Sequence, residues 1–510
     1  QLAASIVPQG FDEQQFEGSV RFLNHRVEMP SDAVDWRSAG QPKLWRYNLH
    51  YFDYLLWPRL PPGRKQALLS SWIADIPVGA EDAWEPYTVS LRVVNWVKFL
   101  AGRDGAELPP DGWVESLAMQ AGWLSRNLET HILANHYLKN AKALVFAGAF
   151  FEGQDADRWL NLGTGIFAEQ IDEQFLPGGA HYELSPMYHC ICCEDLLDVL
   201  NLAKNNPALF DDRFLRRVED AAARALDFLS AILMPDGRIP LFNDSAFAIA
   251  PEPQALFDYG QRLFGYLRPT SDSRNMADAG YFVLGSGADR MIVDCGPVSP
   301  SYQPGHTHCD MLSFELALAG RRVFVDAGVH DYEDSPERAY CRSTAAHNTV
   351  SVDGENQSEL WSVFRVARRA NVVGAVLRGS EDGGSSFEGE IAAFPTVKGR
   401  VRHRRRIDYR PASGFTITDQ VSGSGRHKVD SWLHLHPDMD AGVDGQVVNI
   451  TDGLGVPVAT VHLEGDLVPR LEKGWHFPEF GVRQENIVIR LTLTGDLPAT
   501  LAYRIEKAAG

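Results

Sequence analysis

The chain has 510 residues, 45% of them hydrophobic, and a formal net charge of −19. That length exceeds one ordinary domain and supports large cores, so two domains with or without a small arm are expected. The acidic balance excludes a general nucleic-acid binder, which needs a basic footprint, but leaves room for an anionic ligand in a locally basic cleft. The longest apolar run, residues 143–151, is too short to span a bilayer, so no membrane partner is expected. The chain opens on Gln1 without an initiator Met or a secretion signal. The compartment therefore stays open: bacterial-type periplasmic or secreted is the expectation, cytoplasmic the alternative.

Residues 1–45 carry little periodicity and read as an arm. From there to about residue 270 apolar residues recur at three- and four-residue steps, notably over 64–76, 86–100, 133–151, 186–202 and 212–233. Proline stands at likely first turns, as in Glu85-Pro86 and Ser185-Pro186. No fixed repeat appears, and antiparallel helices over this length suit a helical toroid or solenoid. From about residue 281 the period falls to two. Short alternating segments punctuated by Gly, Asp and Asn predict an all-β domain, an antiparallel sandwich, over 271–510. The boundary is expected within 269–277, where Thr, Ser, Asp, Arg and Asn cluster. Six cysteines, at 190, 192, 193, 295, 309 and 341, show no framework spacing and read as free thiols.

Several stretches carry chemistry-bearing residues. Asn135 and His136 open an apolar helix, where an unpaired polar pair is costly; they either satisfy a core or offer donors to a carboxylate. In the run from Glu183 to His189, Ser185 suits an N-cap and Pro186 a first helical position. Tyr188 then falls in the first turn, where the helix dipole favours a phenolate. His306 and His308 lie one residue apart and point the same way if the backbone is extended. Asp326 ends a buried strand and His347 opens another. His308, Asp326 and His347 make a reasonable ligand set for a divalent ion such as zinc, with manganese the alternative. Arg400, Arg402, Arg404, Arg405 and Arg406 crowd one strand and read mainly as a solvated face, so Arg342 is the better site cation. Trp84 and Tyr87, and the aromatic segment 48–54, either line sugar subsites or belong to the core.

These motifs, in this order, resemble the heparinase II/III-like polysaccharide lyases. The similarity runs through Asn135-His136, then Glu183-Leu184-Ser185-Pro186-Met187-Tyr188-His189, then Gly305-His306-Thr307-His308-Cys309-Asp310, then Val325-Asp326-Ala327-Gly328 and Ala346-His347-Asn348-Thr349. The resemblance implies an incomplete (α/α) toroid over 46–270, followed by an antiparallel β-sandwich. It also implies β-elimination on a uronic-acid polysaccharide. Glycosaminoglycans such as hyaluronan, chondroitin or heparan types come first, and alginate or a bacterial exopolysaccharide second. Carried over, Asn135 and His136 would neutralise the uronate carboxylate, Tyr188 would protonate the leaving oxygen, and His306 would take the C-5 proton. These groups would meet in one groove. His308, Asp326 and His347 would hold a structural metal ion. A further tyrosine ahead of the last His is implied; Tyr332 and Tyr340 both qualify, with Tyr340 taken as catalytic. Glu183, Arg342, Tyr332, Trp84 and Tyr87 are the candidate substrate contacts. Two other readings are a hydrolase using Glu183 and Asp244 as paired carboxylates, and a non-catalytic glycan-binding protein of exopolysaccharide assembly.

Overall fold

The computed structural model describes residues 2–8, 11, 15–30, 33–102, 110–269 and 275–508. The expected domain boundary at 269–277 falls largely outside them. The chain divides into two compact units. One comprises Gln1–Phe175, Cys190–Leu226 and Ala248–Leu267; the other comprises Leu176–His189, Asp227–Phe247 and Arg268–Gly510. The units thus interleave along the sequence, and two segments ahead of residue 270 belong with the sheets.

The helical unit begins with a two-stranded hairpin, Ser19–Phe22 and His25–Glu28, so the expected arm has structure of its own. Helices follow: α1 (Lys43–Tyr51), α2 (Pro62–Asp75), α3 (Pro86–Ala101), α4 (Asp111–Leu124), α5 (Ala134–Phe150), α6 (Gln154–Gln174), α7 (Pro186–Asn205), α8 (Asp212–Ile232) and α9 (Pro253–Phe264). The unit boundary passes through α7 and α8. Proline opens α2, α3, α7 and α9, where its missing N–H costs no intrahelical bond. Helices α5 and α6 approach closely because glycines face the contact. A Cβ on Gly148 would sit 2.5 Å from the Leu160 nitrogen, and one on Gly163 would sit 2.7 Å from that of Val145. Among the described residues, no helix is long and apolar enough to cross a membrane.

The core of this unit is aromatic. Phe52 packs edge-on against Trp72 and Trp96, with ring centroids 5.9 and 5.5 Å away. The segment 48–54 is therefore core. His50 is buried there and accepts a 3.1 Å hydrogen bond from Trp72 Nε1. Burial, helped by the nearby Arg92, pushes the His50 imidazole down to about 3. The unfolded chain therefore takes up the proton first as pH falls. Stability from this group is complete above about pH 6.5 and is lost between there and about pH 3, at roughly 1.4 kcal/mol per pH unit. Urea titrations of wild type and His50→Gln across pH 4–6 should differ in slope by about one proton. Equal slopes would mean that His50 is not held neutral.

The second unit is built on three antiparallel sheets. Eight strands run in the order Asn371–Gly379, Ser385–Ala392, Arg402–Arg410, Gly414–Ser422, Ala499–Lys507, Pro457–Leu463, Val447–Asp452, Met439–Asp444. Four run Val468–His476, Gln484–Asp496, Arg426–His434, Val350–Val352, and five run Asn275–Met276, Tyr281–Ser286, Asp289–Asp294, Phe314–Leu318, Arg321–Phe324. The inward residues of all three share one apolar core that includes Phe282, Phe314, Phe387, Ile407, Ile417, Leu433 and Ile489, the arrangement of a sandwich. One short helix, α10 (Pro336–Arg342), sits among the strands, capped by the Ser335 hydroxyl. The six cysteines are free and buried.

Alternation splits the arginine strand between two faces, and the inward face matters. Arg402 and Arg404 face outward onto Glu390 and Glu388. Arg405 points inward, fully buried, and clasps Asp419 at 2.7 and 2.8 Å. Its remaining donors bond the carbonyls of Leu312 and Asn348 at 2.6 and 2.5 Å. A core guanidinium thus fixes the two loops that carry the histidine motifs.

Candidate active site

In the second unit, Tyr188, Glu183, Asp244, His306, His308, Tyr332 and Arg338 come together. The Ser185 hydroxyl accepts the Tyr188 backbone N–H at 3.2 Å, as an N-cap should, so the phenol stands in the first turn of α7. The Ser185 hydroxyl also donates to the Asp244 carbonyl at 2.6 Å. The Tyr188 ring stacks on the His306 ring, with centroids 3.9 Å apart and planes 26° from parallel. The Tyr188 and Tyr332 hydroxyls are 3.3 Å apart. The Glu183 carboxylate lies 4.0 Å from His306 Nε2.

Asp244 is the anchor beneath. Its carboxylate accepts His306 Nδ1 at 2.9 Å and His308 Nε2 at 2.8 Å, and Arg338 clasps it with both terminal nitrogens. The two histidines of the motif do point the same way, toward one carboxylate. Burial pushes Asp244 up, but Arg338 and the two imidazoles outweigh it and hold the carboxyl well below its usual range. With Nδ1–H of His306 donated to Asp244, Nε2 is the nitrogen that carries the lone pair. The helix dipole does not make Tyr188 a phenolate. Burial, with Tyr332, Asp244 and Glu183 nearby, holds the phenol well above its usual range. A desolvated phenol beside carboxylates keeps its proton and can donate it.

The backbone here is strained. Leu184 and Asn243, beside Glu183 and Asp244, have φ of 54° and 55°, and Leu312, two residues after Asp310, has φ of 64°. Such left-handed non-glycine residues cost about 1–3 kcal/mol each and persist where surrounding bonds enforce them. Asn243 shows the enforcement: its side chain accepts the His308 N–H at 2.9 Å and donates to the Leu184 carbonyl at 3.1 Å.

The metal-type cluster differs from expectation. Ligand atoms of His308, Asp310 and His347 lie within 4.8 Å of one another, all buried. Asp326 instead accepts His347 Nδ1 at 2.8 Å, behind the ring, and so orients it. His308 Nδ1 and His347 Nε2 are buried with no hydrogen-bond partner. Two orphaned imidazole nitrogens facing a carboxylate fit a divalent cation. Burial pushes His308 down to about 4, keeping it in the neutral form that ligation needs.

Other expected contacts move. Tyr340 is not in the cluster: its hydroxyl accepts the Trp475 N–H at 3.3 Å, and Tyr332 takes the place assigned to it. Arg342 is buried at 2% exposure, with its guanidinium on the carbonyls of Thr307, Ser362 and Arg365. It braces loops instead of meeting substrate. Arg338, which sequence reading missed, carries the site's positive charge. Its signal was faint, since an Arg inside a short helix looks like any surface charge.

In the helical unit, Asn135 and His136 open α5 after two left-handed residues, Leu133 and Ala134, with φ of 62° and 53°. Gln174 Nε2 holds that turn by the Ala134 carbonyl at 2.8 Å. Glu129 accepts His136 Nδ1 at 2.9 Å and Asn140 Nδ2 at 2.9 Å. The His136 side chain is 31% exposed and packs against Tyr87, with centroids 4.3 Å apart and planes tilted by 41°. Trp84 is core: it is 4% exposed and packs on Trp72 and Trp123.

The heparinase II/III N-terminus model matches residues 66–256, and the heparinase II/III-like C-terminal model matches residues 268–505. A heparin-sulfate lyase of Bacteroides stercoris is 24% identical over 83% of this chain and 65% of its own length. One of Pedobacter heparinus is 28% identical over 67% of this chain and 53% of its own. The chain thus spans between about half and two thirds of these curated relatives. Among solved structures, a heparinase III superposes with a TM-score of 0.75 at 18% identity, covering 95% of this chain and 81% of that one. A mutant of the Pedobacter heparinus heparan sulfate lyase superposes with 0.68 at 19% identity, covering 99% and 85%. The two matched models together take in both the helical and the sheet regions, and the chain belongs to the heparinase II/III-like family.

Proposed function

We propose that this protein is a polysaccharide lyase that cleaves a uronic-acid glycosaminoglycan, of the heparin or heparan type, by β-elimination. The observation that carries the reading is the stacked Tyr188–His306 pair, with Asp244 fixing the imidazole from behind. Elimination needs a base for the C-5 proton and an acid for the departing glycosidic oxygen. His306 Nε2 takes the proton. The C-5 electrons form the new C-4–C-5 double bond as the C-4–O bond breaks, and Tyr188 gives its proton to the leaving oxygen. Tyr332, within reach of the Tyr188 hydroxyl, returns a hydrogen bond to it. A phenol held in its protonated form suits this division and disfavours Tyr188 as the base. On the helical unit, the imidazole of the Glu129-held His136 is partly exposed, while Asn135 is buried at 1% exposure. The relatives named heparin-sulfate lyase support this substrate class.

A hydrolase would need Asp244 as an acid or base, yet both its oxygens are taken by Arg338, His306 and His308. The test is a panel of heparan sulfate, heparin, hyaluronan, chondroitin and alginate, scored for ultraviolet-absorbing unsaturated uronate. Product from heparan sulfate supports the reading. Saturated products, or none from any polymer, would sink it.

His308, Asp310 and His347 would hold the divalent ion, zinc first and manganese second, with Asp326 steadying His347. The ion would supply a cross-link between loops and no step of the elimination. Treatment with a chelator should lower Tm first and activity only as the fold loosens. Activity lost at constant Tm would give the ion a catalytic part.

A further inference from the structure

The hairpin Leu360–Trp361 and Arg365–Val366 carries features that the core does not explain. Trp361 and Arg365 are directly opposite partners, so their side chains share a face, while Leu360 and Val366 share the other. Val366 is buried at 8% exposure, so its face turns inward and the Trp361 face turns outward. Trp361 is 54% exposed and Phe364 in the turn is 41% exposed; among the described residues no other Trp or Phe is as open. The Arg365 guanidinium lies 5.0 Å from the Trp361 ring centroid. Among the described residues it has no carboxylate partner, on a chain whose net charge is −19.

The turn is held rigidly from below. Arg338 Nη2 donates to the Val363 carbonyl at 3.0 Å, and Arg342 Nη1 donates to the Ser362 carbonyl at 2.9 Å. Arg338 is the residue that clasps Asp244, and Phe364 meets the Tyr332 ring edge-on at 5.3 Å. An apolar, cationic surface is therefore braced by the scaffold that fixes His306, and it is continuous with the reactive tyrosines.

We propose that this hairpin is a sugar-binding platform for the anionic chain flanking the bond that is cleaved: a pyranose lies on Trp361, and Arg365 pairs with a carboxylate or sulfate on that sugar. Phe364 forms the step between platform and Tyr332. The inference rests on the polysaccharide reading above and adds where the rest of the chain is gripped. Aromatic and arginine side chains carry much of the binding energy at protein interfaces, and an exposed ion pair of this kind weakens with salt.

The test uses the whole chain and size-defined heparan sulfate oligosaccharides, with binding measured by calorimetry and turnover by unsaturated product. Trp361→Ala should weaken binding about tenfold. It should raise KM with kcat nearly unchanged, because the platform acts on ground and transition states alike. Arg365→Gln should weaken binding less and flatten its salt dependence. Circular dichroism and Tm unchanged from wild type would confirm that the hairpin face is not structural. Two variants that bind and turn over as wild type does would overturn the platform and leave the lyase reading standing. A wild-type protein that neither binds nor cleaves the oligosaccharides would overturn both.

Discussion

Replacing Tyr188 by Phe should lower kcat by about 10²–10⁴ and leave oligosaccharide affinity within a fewfold of wild type. The ring is kept, so its stack on His306 at 3.9 Å is kept. Only the hydroxyl is lost, and with it the proton for the leaving oxygen. Burial holds that phenol in the protonated state across neutral pH, so the rate should not rise with Tyr188 ionisation. The measurement is kcat and binding on one oligosaccharide for wild type and Tyr188→Phe, with Tyr332→Phe beside it. Tyr332 touches the acid without replacing it, so its variant should be the milder. A Tyr188→Phe protein with wild-type kcat would remove the phenol from the chemistry.

Replacing Asp244 by Asn should be the other large effect, and a different one. The carboxylate is fully buried and answers Arg338, His306 and His308 at once. Removing its charge leaves the Arg338 guanidinium buried without an anion, a loss on the order of 3–5 kcal/mol in stability. It also releases the tautomer of His306, for which a kcat loss of 10² or more is expected, since a misplaced proton disables a histidine base. The two losses separate by temperature. At a temperature where the variant remains folded by circular dichroism, kcat should still be depressed and its pH profile displaced. A folded Asp244→Asn with the wild-type pH profile would reduce Asp244 to a structural anchor.

Much of this architecture was legible in the sequence because it rests on periodicity. Helices α3, α5, α7 and α8 lie within a few residues of the apolar repeats that announced them, and the alternating stretches became sheet. What escaped depends on three-dimensional partners. Asp310 and Asp326 both read as acids near histidines, and only the fold decides which one shares the cluster with His308 and His347. Tyr332 and Tyr340 are eight positions apart on either side of the start of α10, and their sequence neighbourhoods do not separate them. Arg342 reads as a site cation because it stands close to His347 in the sequence; its burial on three carbonyls depends on where the loops run. The sequence places Tyr188 in a first turn, where the structure has it, but a dipole argument there favours a phenolate, whereas burial with Tyr332, Asp244 and Glu183 nearby holds the phenol protonated. The Phe52–Trp72–Trp96 cluster shows the same limit, since aromatic richness alone does not separate a core from a sugar surface.

Arg405 sits on the interior face of the eight-stranded sheet, and its donors end on Leu312 and Asn348. The two loops that carry His306, His308 and His347 are thus tied to the sandwich interior. Heat inactivation should accordingly coincide with the melting of the sheets, with no earlier fading of activity. Laboratory evolution of new specificities would find its freedom in the outward hairpin, and almost none in the motif that the arginine has stapled down.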